Sequence, residues 1–180
     1  MEHIELTVKS LELKSYFLLS RDDQLQLLAW RNHPSVREVF FQQTEIGTAE
    51  HLNFIESLRT DESKRYWLVS HRQEPVGSLD LYRIGSRDCY WGYFLAPHLQ
   101  KSALGVLLEF AVQEVVFDRM GLTSLHCETM AHNDNALKIH RQFGFTETLR
   151  ENGRVYMTQD SNTWKKKKRK LEELIELLLR

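Results

Sequence analysis

Polar and apolar positions alternate with a period of two over residues 3–8 and again over 11–17, which predicts one or two short strands at the start of the chain. The period then lengthens. Ser20 followed by Asp23 has the form of a helix N-cap with a carboxylate in the first turn, and Leu25, Leu28 and Ala29 continue at helical spacing. That helix should end near Arg31-Asn32-His33-Pro34, because proline pushes the residue before it out of helical geometry. Phe40 and Phe41 stand in a stretch without period. Thr48 and Glu50 open a second helix expected to bury Leu52, Phe54, Ile55 and Leu58, with His51 in its first turn. Residues 66–70, 76–84 and 89–95 read as three strands joined by polar turns at 72–75 and 85–88, an antiparallel meander. Pro97 has no N–H to offer a ladder, so strand pairing should loosen there.

Over residues 103–118 the apolar positions Leu104, Leu107, Leu108, Ala111, Val112 and Val115 recur at helical spacing, with Val106, Phe110 and Phe117 as a second stripe. Such a helix is buried on most of its circumference, as when it lies across a sheet. Gly121 ends it. Residues 122–130 form a strand with Leu125 and Cys127 on one face and Ser124, His126 and Glu128 on the other. Asn133 caps a short helix whose Ala136, Ile139, His140 and Phe143 share a face, and Gly144 closes it. Asn152-Gly153 is a tight-turn signal between two further strands. The basic run 165–170 precedes Leu171, Leu174, Ile175 and Leu178 in an amphipathic C-terminal helix, whose start should be late because positive charge is unfavourable at a helix N-terminus. The order of elements is an α+β arrangement: a mostly antiparallel mixed sheet flanked by helices, with residues 89–130 as a right-handed parallel strand–helix–strand unit. Residues 1–180 are expected to form a single domain.

Composition narrows the function classes. The chain has 180 residues, 42% hydrophobic and 27% charged, enough for a full core. A net charge of -1 argues against a nucleic-acid partner. Cys89 and Cys127 lack metal-ligand spacing, so no metal is expected and a reducing cytoplasm fits. No apolar run is long enough to span a bilayer. The C-terminal helix has three readings: packing on its own domain, a homodimer contact, or attraction to an anionic membrane surface.

Candidate chemistry gathers between Tyr90 and Phe145. Gln100, Ala103 and Gly105 have the spacing Q-x-x-A-x-G where a strand passes into a helix; small residues admit a ligand to the backbone, and the first helical turn offers N–H groups and a positive dipole end to an anion. Alone, the match is equally that of an ordinary strand-to-helix turn. Together with the later N-x-x-A set of Asn133 and Ala136 and the Gly144-Phe145 pair, it resembles the GCN5-related N-acetyltransferases. The resemblance covers about a third of the chain and departs from the family at Ala103, where glycine is usual, and at His140, where tyrosine is usual. It implies acetyl-CoA as acetyl donor, with Phe94, Leu95 and Ala96 at the thioester and Gln100, Lys101, Ser102, Ala103, Leu104, Gly105, Asn133 and Ala136 around the rest of the cofactor.

A closer likeness lies in Trp30-Arg31-Asn32-His33-Pro34, His51-Leu52-x-Phe54-Ile55 and Tyr90-x-Gly92, similar to the amino-sugar branch that builds pseudaminic acid for flagellin glycosylation. It implies acetylation of the 4-amino group of a UDP-linked sugar in the cytoplasm, with Arg31 and His51 near the nucleotide and Phe40, Phe41, Phe54, Tyr90 and Glu128 lining the sugar pocket. Peptide N-terminal acetyltransferases of ribosomal proteins share the W-R-n-h-P opening and are the alternative; a catalytically silent acyl-CoA-binding regulator is a third reading. Glu128 is the candidate base, set against a solvent-facing strand carboxylate. His140 is the candidate acid toward the departing thiolate, set against a core histidine.

Overall fold

In a computed structural model, the structure describes residues 5–179. His3 and Ile4 of the first predicted strand lie outside them. The chain divides into two compact units, residues 5–84 with Gly92–Gln100, and Gly85–Trp91 with residues 101–179.

In the first unit, β1 (Glu5–Val8), β2 (Leu11–Ser15), β3 (Arg65–His71) and β4 (Glu74–Tyr82) pair antiparallel in chain order. The second half of strand β5 (Asp88–Leu95) belongs to this unit, and just beyond it Ala96 N donates to Val76 O at 2.9 Å. The β3–β4 turn is tighter than the sequence suggests. Arg72 and Gln73 make it alone, at φ 53° and 68°, while Pro75 lies inside β4 opposite Ser70, where a register shift spares the ladder its missing donor. Two helices follow the predicted spacing and a short one between them was not expected. In α1 (Arg21–Asn32) the Ser20 side chain accepts from Asp23 N; α2 (Pro34–Arg37) is one turn; α3 (Thr48–Ser57) buries Ile55 but leaves Leu52 and Phe54 half-buried. The core of this unit contains Leu27, Val36, Ile55 and Leu68, with Tyr16 and Phe94.

In the second unit the start of β5 pairs parallel with β6 (Ser124–Met130), with Cys89 opposite Leu125 and Tyr90 opposite His126. β6 then pairs antiparallel with β8 (Arg154–Asp160), and β8 with β7 (Thr146–Glu151). The β7–β8 turn is the expected Asn152-Gly153, at φ 48° and 75°. Helix α4 (Leu104–Gln113) is shorter than the apolar pattern predicts, because the chain widens into a π-helical stretch, Glu114–Arg119, before Gly121. Helix α5 (Asp134–Phe143) is capped by Asn133 and ended by Gly144 at φ 111°.

Helix α6 (Ser161–Leu178) corrects the expectation of a late start. Its first turn carries no lysine: the Asp160 carboxylate accepts from the N–H groups of Asn162 and Thr163, and Trp164 anchors that turn in the core. The basic run therefore lies within the helix. No helix of the described residues is long and apolar enough to cross a membrane.

Candidate functional site

The residues expected to hold the cofactor's pyrophosphate lie in the loop entering α4. Gln100 Nε2 donates to Leu95 O at 2.8 Å, folding its side chain back onto the strand end, and Lys101 follows at φ 67°. Helical bonding begins with Val106 and Leu107, whose N–H groups donate to Ala103 O, so the N–H groups before them face outward from the helix start. Ser102 Oγ is buried with no hydrogen-bond partner, a donor and acceptor waiting for an oxygen-rich group. Gly105 is buried, whereas Ala103 is exposed, so a methyl in place of hydrogen at position 103 meets no crowding. These residues fit a pyrophosphate. Of the strand-end positions Phe94, Leu95 and Ala96, the last has its N–H engaged with Val76 O, which leaves thioester contacts to other groups.

Helix α5 carries the second motif. Asn133 Oδ1 accepts from Ala136 N at 3.3 Å, and His140 lies one helical face along, 4% exposed. Both of its ring nitrogens are engaged: Nδ1 is 2.8 Å from Glu109 Oε2, and Nε2 is 3.2 Å from Thr129 Oγ1. The rings of Trp91 and Phe145 enclose it. Burial works against a charged imidazole, but the Glu109 carboxylate and the Cys127 thiol outweigh it and hold the His140 pKa well above the ordinary range. As an imidazolium His140 donates from both nitrogens, which leaves the Thr129 hydroxyl proton to point elsewhere. Glu109 was not among the sequence candidates; the available signal was a lone carboxylate inside the apolar run of α4, fully buried.

Strand β6 presents its polar face as predicted. Glu128 Oε2 lies 3.3 Å from Arg154 Nη1, His126 lies 3.5 Å from Asp88, and the Tyr90 and His126 rings sit 5.1 Å apart.

In the first unit, Arg31 ends α1 with its guanidinium 3.7 Å from the centroid of the Phe40 ring. Nη2 donates to Gln42 O at 3.1 Å, while Nη1 is buried without a partner. Asn32 fixes the following loop by exchanging two 2.9 Å hydrogen bonds with Ile46. Phe40 meets Phe94 edge to face, Phe54 meets Tyr66 in the same manner, and Phe41 is half-buried beside Phe40. His51 is spoken for: Nε2 bonds Gln24 O at 2.9 Å, and burial lowers its pKa. A neutral imidazole tied to α1 is a poor phosphate ligand. The same unit holds Asp80, which sequence reasoning passed over because one acid in an alternating strand is unremarked. A separate cavity of about 600 Å³ opens between α1 and the start of α3, lined by Leu25, Leu28, Asn32, Ile46 and neighbours.

Known proteins share this fold. Residues 18–146 match the family described as Acetyltransferase (GNAT) domain. The acetyltransferase PseH of Campylobacter jejuni (strain 81-176) is 29% identical over 136 residues, 76% of this chain and 85% of PseH. The crystal structure of Campylobacter jejuni N-acetyltransferase PseH in complex with acetyl coenzyme A superposes with a TM-score of 0.70 at 23% identity, covering 83% of this chain and 98% of that one. FdhC, a nucleotide-linked sugar GNAT, gives a TM-score of 0.77 at 18% identity over 92% of this chain and 95% of its own. With the family's span running from the start of α1 through α5, this chain belongs to the GNAT acetyltransferase family.

Proposed function

We propose that this acetyltransferase moves the acetyl group of acetyl-CoA to the 4-amino group of a UDP-linked amino sugar in pseudaminic acid biosynthesis, in the cytoplasm. Residues 1–180 form one N-acetyltransferase domain in this reading, with α6 included and a homodimer contact among its roles. The likeness to PseH and to a nucleotide-linked sugar GNAT supports the reading. The observation that carries it is Arg31: a buried guanidinium nitrogen without acceptor, mounted on an aromatic ring, is a fork prepared for a diphosphate oxygen.

The cofactor's adenosine diphosphate would lie on Gln100, Lys101, Ser102, Ala103, Leu104 and Gly105, its thioester arm near Phe94, Leu95, Ala96, Asn133 and Ala136. Bound there, acetyl-CoA supplies an activated acetyl group. Phe40, Phe41, Phe54 and Tyr90 would wall the sugar, and His51 would position α1 rather than touch phosphate. His140 enters the chemistry through Thr129, whose hydroxyl proton it frees toward the departing thiolate. Glu128, paired to Arg154, would orient the acceptor or carry its proton through water.

Thiol release from acetyl-CoA, measured with a UDP-4-amino sugar and with N-terminal peptides, tests the assignment. Turnover with the sugar is expected; turnover with peptides alone would replace the reading by the peptide alternative, and release with neither by the silent regulator. Arg31→Ala is expected to raise the KM for the sugar nucleotide about 10–100-fold and leave that for acetyl-CoA unchanged, since a charged hydrogen bond contributes about 1.5–3 kcal/mol. An unchanged sugar KM would remove Arg31 from the nucleotide site.

A further inference from the structure

Helix α6 lies beyond residue 146, where the family match ends, yet it is pinned to both helices that carry the cofactor motifs. Its inner face buries Trp164, Leu171 and Ile175. On the α4 side, the Trp164 ring stands 5.2 Å from that of Phe110 and 6.4 Å from that of Phe117. Trp164 Nε1 and Lys168 Nζ both donate to Asp118 Oδ2, at 2.9 and 3.1 Å. Asp118 belongs to the π-helical stretch that continues α4. On the α5 side, Lys167 Nζ donates to Gln142 O at 3.0 Å.

The Lys167 contact completes the end of α5. A helix leaves its last four carbonyls without partners inside the helix. Those of His140 and Arg141 accept from the backbone N–H groups of Gly144 and Phe145, and that of Phe143 accepts from Gln159 Nε2 at 3.0 Å. Gln142 O is left for Lys167, whose ammonium also suits the negative end of the helix dipole. Room for the Lys167 stem comes from Gly144: a Cβ there would come within 3.1 Å of Lys167 Cδ and 2.7 Å of Thr163 Cγ2. The glycine that closes α5 is therefore also the seat of α6.

Both tethers lie at the C-terminal ends of α4 and α5, whereas the motif residues lie at the N-terminal ends, Ser102, Ala103 and Gly105 on one helix and Asn133 and Ala136 on the other. Between these ends Glu109 and His140 join the two helices at 2.8 Å. A salt bridge fixes the separation of two helices at one point and leaves their crossing angle to whatever packs on their ends. Each helix has 10 residues and is about 15 Å long, so a tilt of about 5° moves one end by about 1 Å relative to the other. That is enough to break hydrogen bonds, which hold only over about 2.7–3.2 Å. We propose that α6 is a staple for the cofactor site and Lys167 its positioning residue: by fixing the C-terminal ends of α4 and α5, it holds their N-terminal ends at the spacing that acetyl-CoA bridges. The inference rests on the cofactor placement given under the proposed function. Coupling of this kind is reciprocal, so bound acetyl-CoA in turn holds α6 in place.

The test is acetyl-CoA binding by titration calorimetry to the full chain and to Lys167→Met, Lys167→Arg, Asp118→Ala and Ala103→Asp, with thermal unfolding of each. Lys167→Met keeps the stem on Gly144 and removes the donor; it should raise the Kd for acetyl-CoA about 5–50-fold. Lys167→Arg, which can still donate to Gln142 O, should stay near wild type. Asp118→Ala unties α6 from α4 and should raise the Kd as well, which serves if Lys167→Met does not fold. A merely structural role would lower the unfolding temperature and leave the Kd alone. Saturating acetyl-CoA should slow proteolysis after the lysines of 165–170 in wild type by a factor similar to the rise in Kd. Ala103 is exposed, so Ala103→Asp sets a charge against the pyrophosphate without crowding the core and should abolish binding. An unchanged Kd in either folded tether variant, with binding still lost in Ala103→Asp, overturns the staple and leaves the cofactor reading standing. Binding that Ala103→Asp does not weaken overturns the cofactor placement and the staple with it, as does a wild type that binds no acetyl-CoA.

Discussion

Replacing His140 by phenylalanine is expected to destabilise the protein by about 3–5 kcal/mol in urea unfolding at pH 7, because the Glu109 carboxylate would stay buried with its partner removed. The two groups are 4% and 0% exposed at the side chain, so water cannot take over. The pH dependence has a definite sign. His140 has a folded pKa above its ordinary 6.5, so the stability it contributes is complete below 6.5 and is lost as pH rises through the folded value. Wild type should therefore lose stability as pH climbs from about 6.5, and His140→Phe should lose that slope. A penalty under about 1 kcal/mol would mean the pair is not ionised. An inactive His140→Phe protein does not by itself identify an acid, since the fold around Glu109 is disturbed as well. Thr129→Val separates the two: it keeps the ion pair and removes only the hydroxyl that His140 orients.

Trp164→Ala should cost about as much, roughly 3–5 kcal/mol, by emptying the largest buried site on α6. Trp164 is fully buried, its ring 5.2 Å from that of Phe110 and 6.4 Å from that of Phe117, with Nε1 donating to Asp118 Oδ2 at 2.9 Å. Its loss should release the start of α6, including the Lys168 contact to the same aspartate. Proteolysis after the lysines of 165–170 reports this directly: cleavage should be slow in wild type and fast in Trp164→Ala. Equal cleavage would mean that α6 is held by Leu171 and Ile175 instead.

Much of the scaffold was legible because its signals are local. Ser20, Asn133 and Gly144 cap the helices they were expected to cap, and Asn152-Gly153 makes the expected turn. Misreadings arose where a local rule met a distant partner. The lysines of 165–170 argued for a late helix, yet Asp160 and a buried Trp164 begin it earlier. Pro75 suggested a turn residue, but a register shift in β3 accommodates it within β4.

By itself the sequence determined the family, because the spacing of Gln100, Ala103 and Gly105 and of Asn133, Ala136 and Gly144 is set within single turns of backbone, which short-range geometry dictates. Only tertiary structure decided the electrostatics. Whether His140 is charged depends on Glu109, 31 positions away. Protonation is governed by the desolvation and charge that folding brings to a group, and neither is written in the residues beside it.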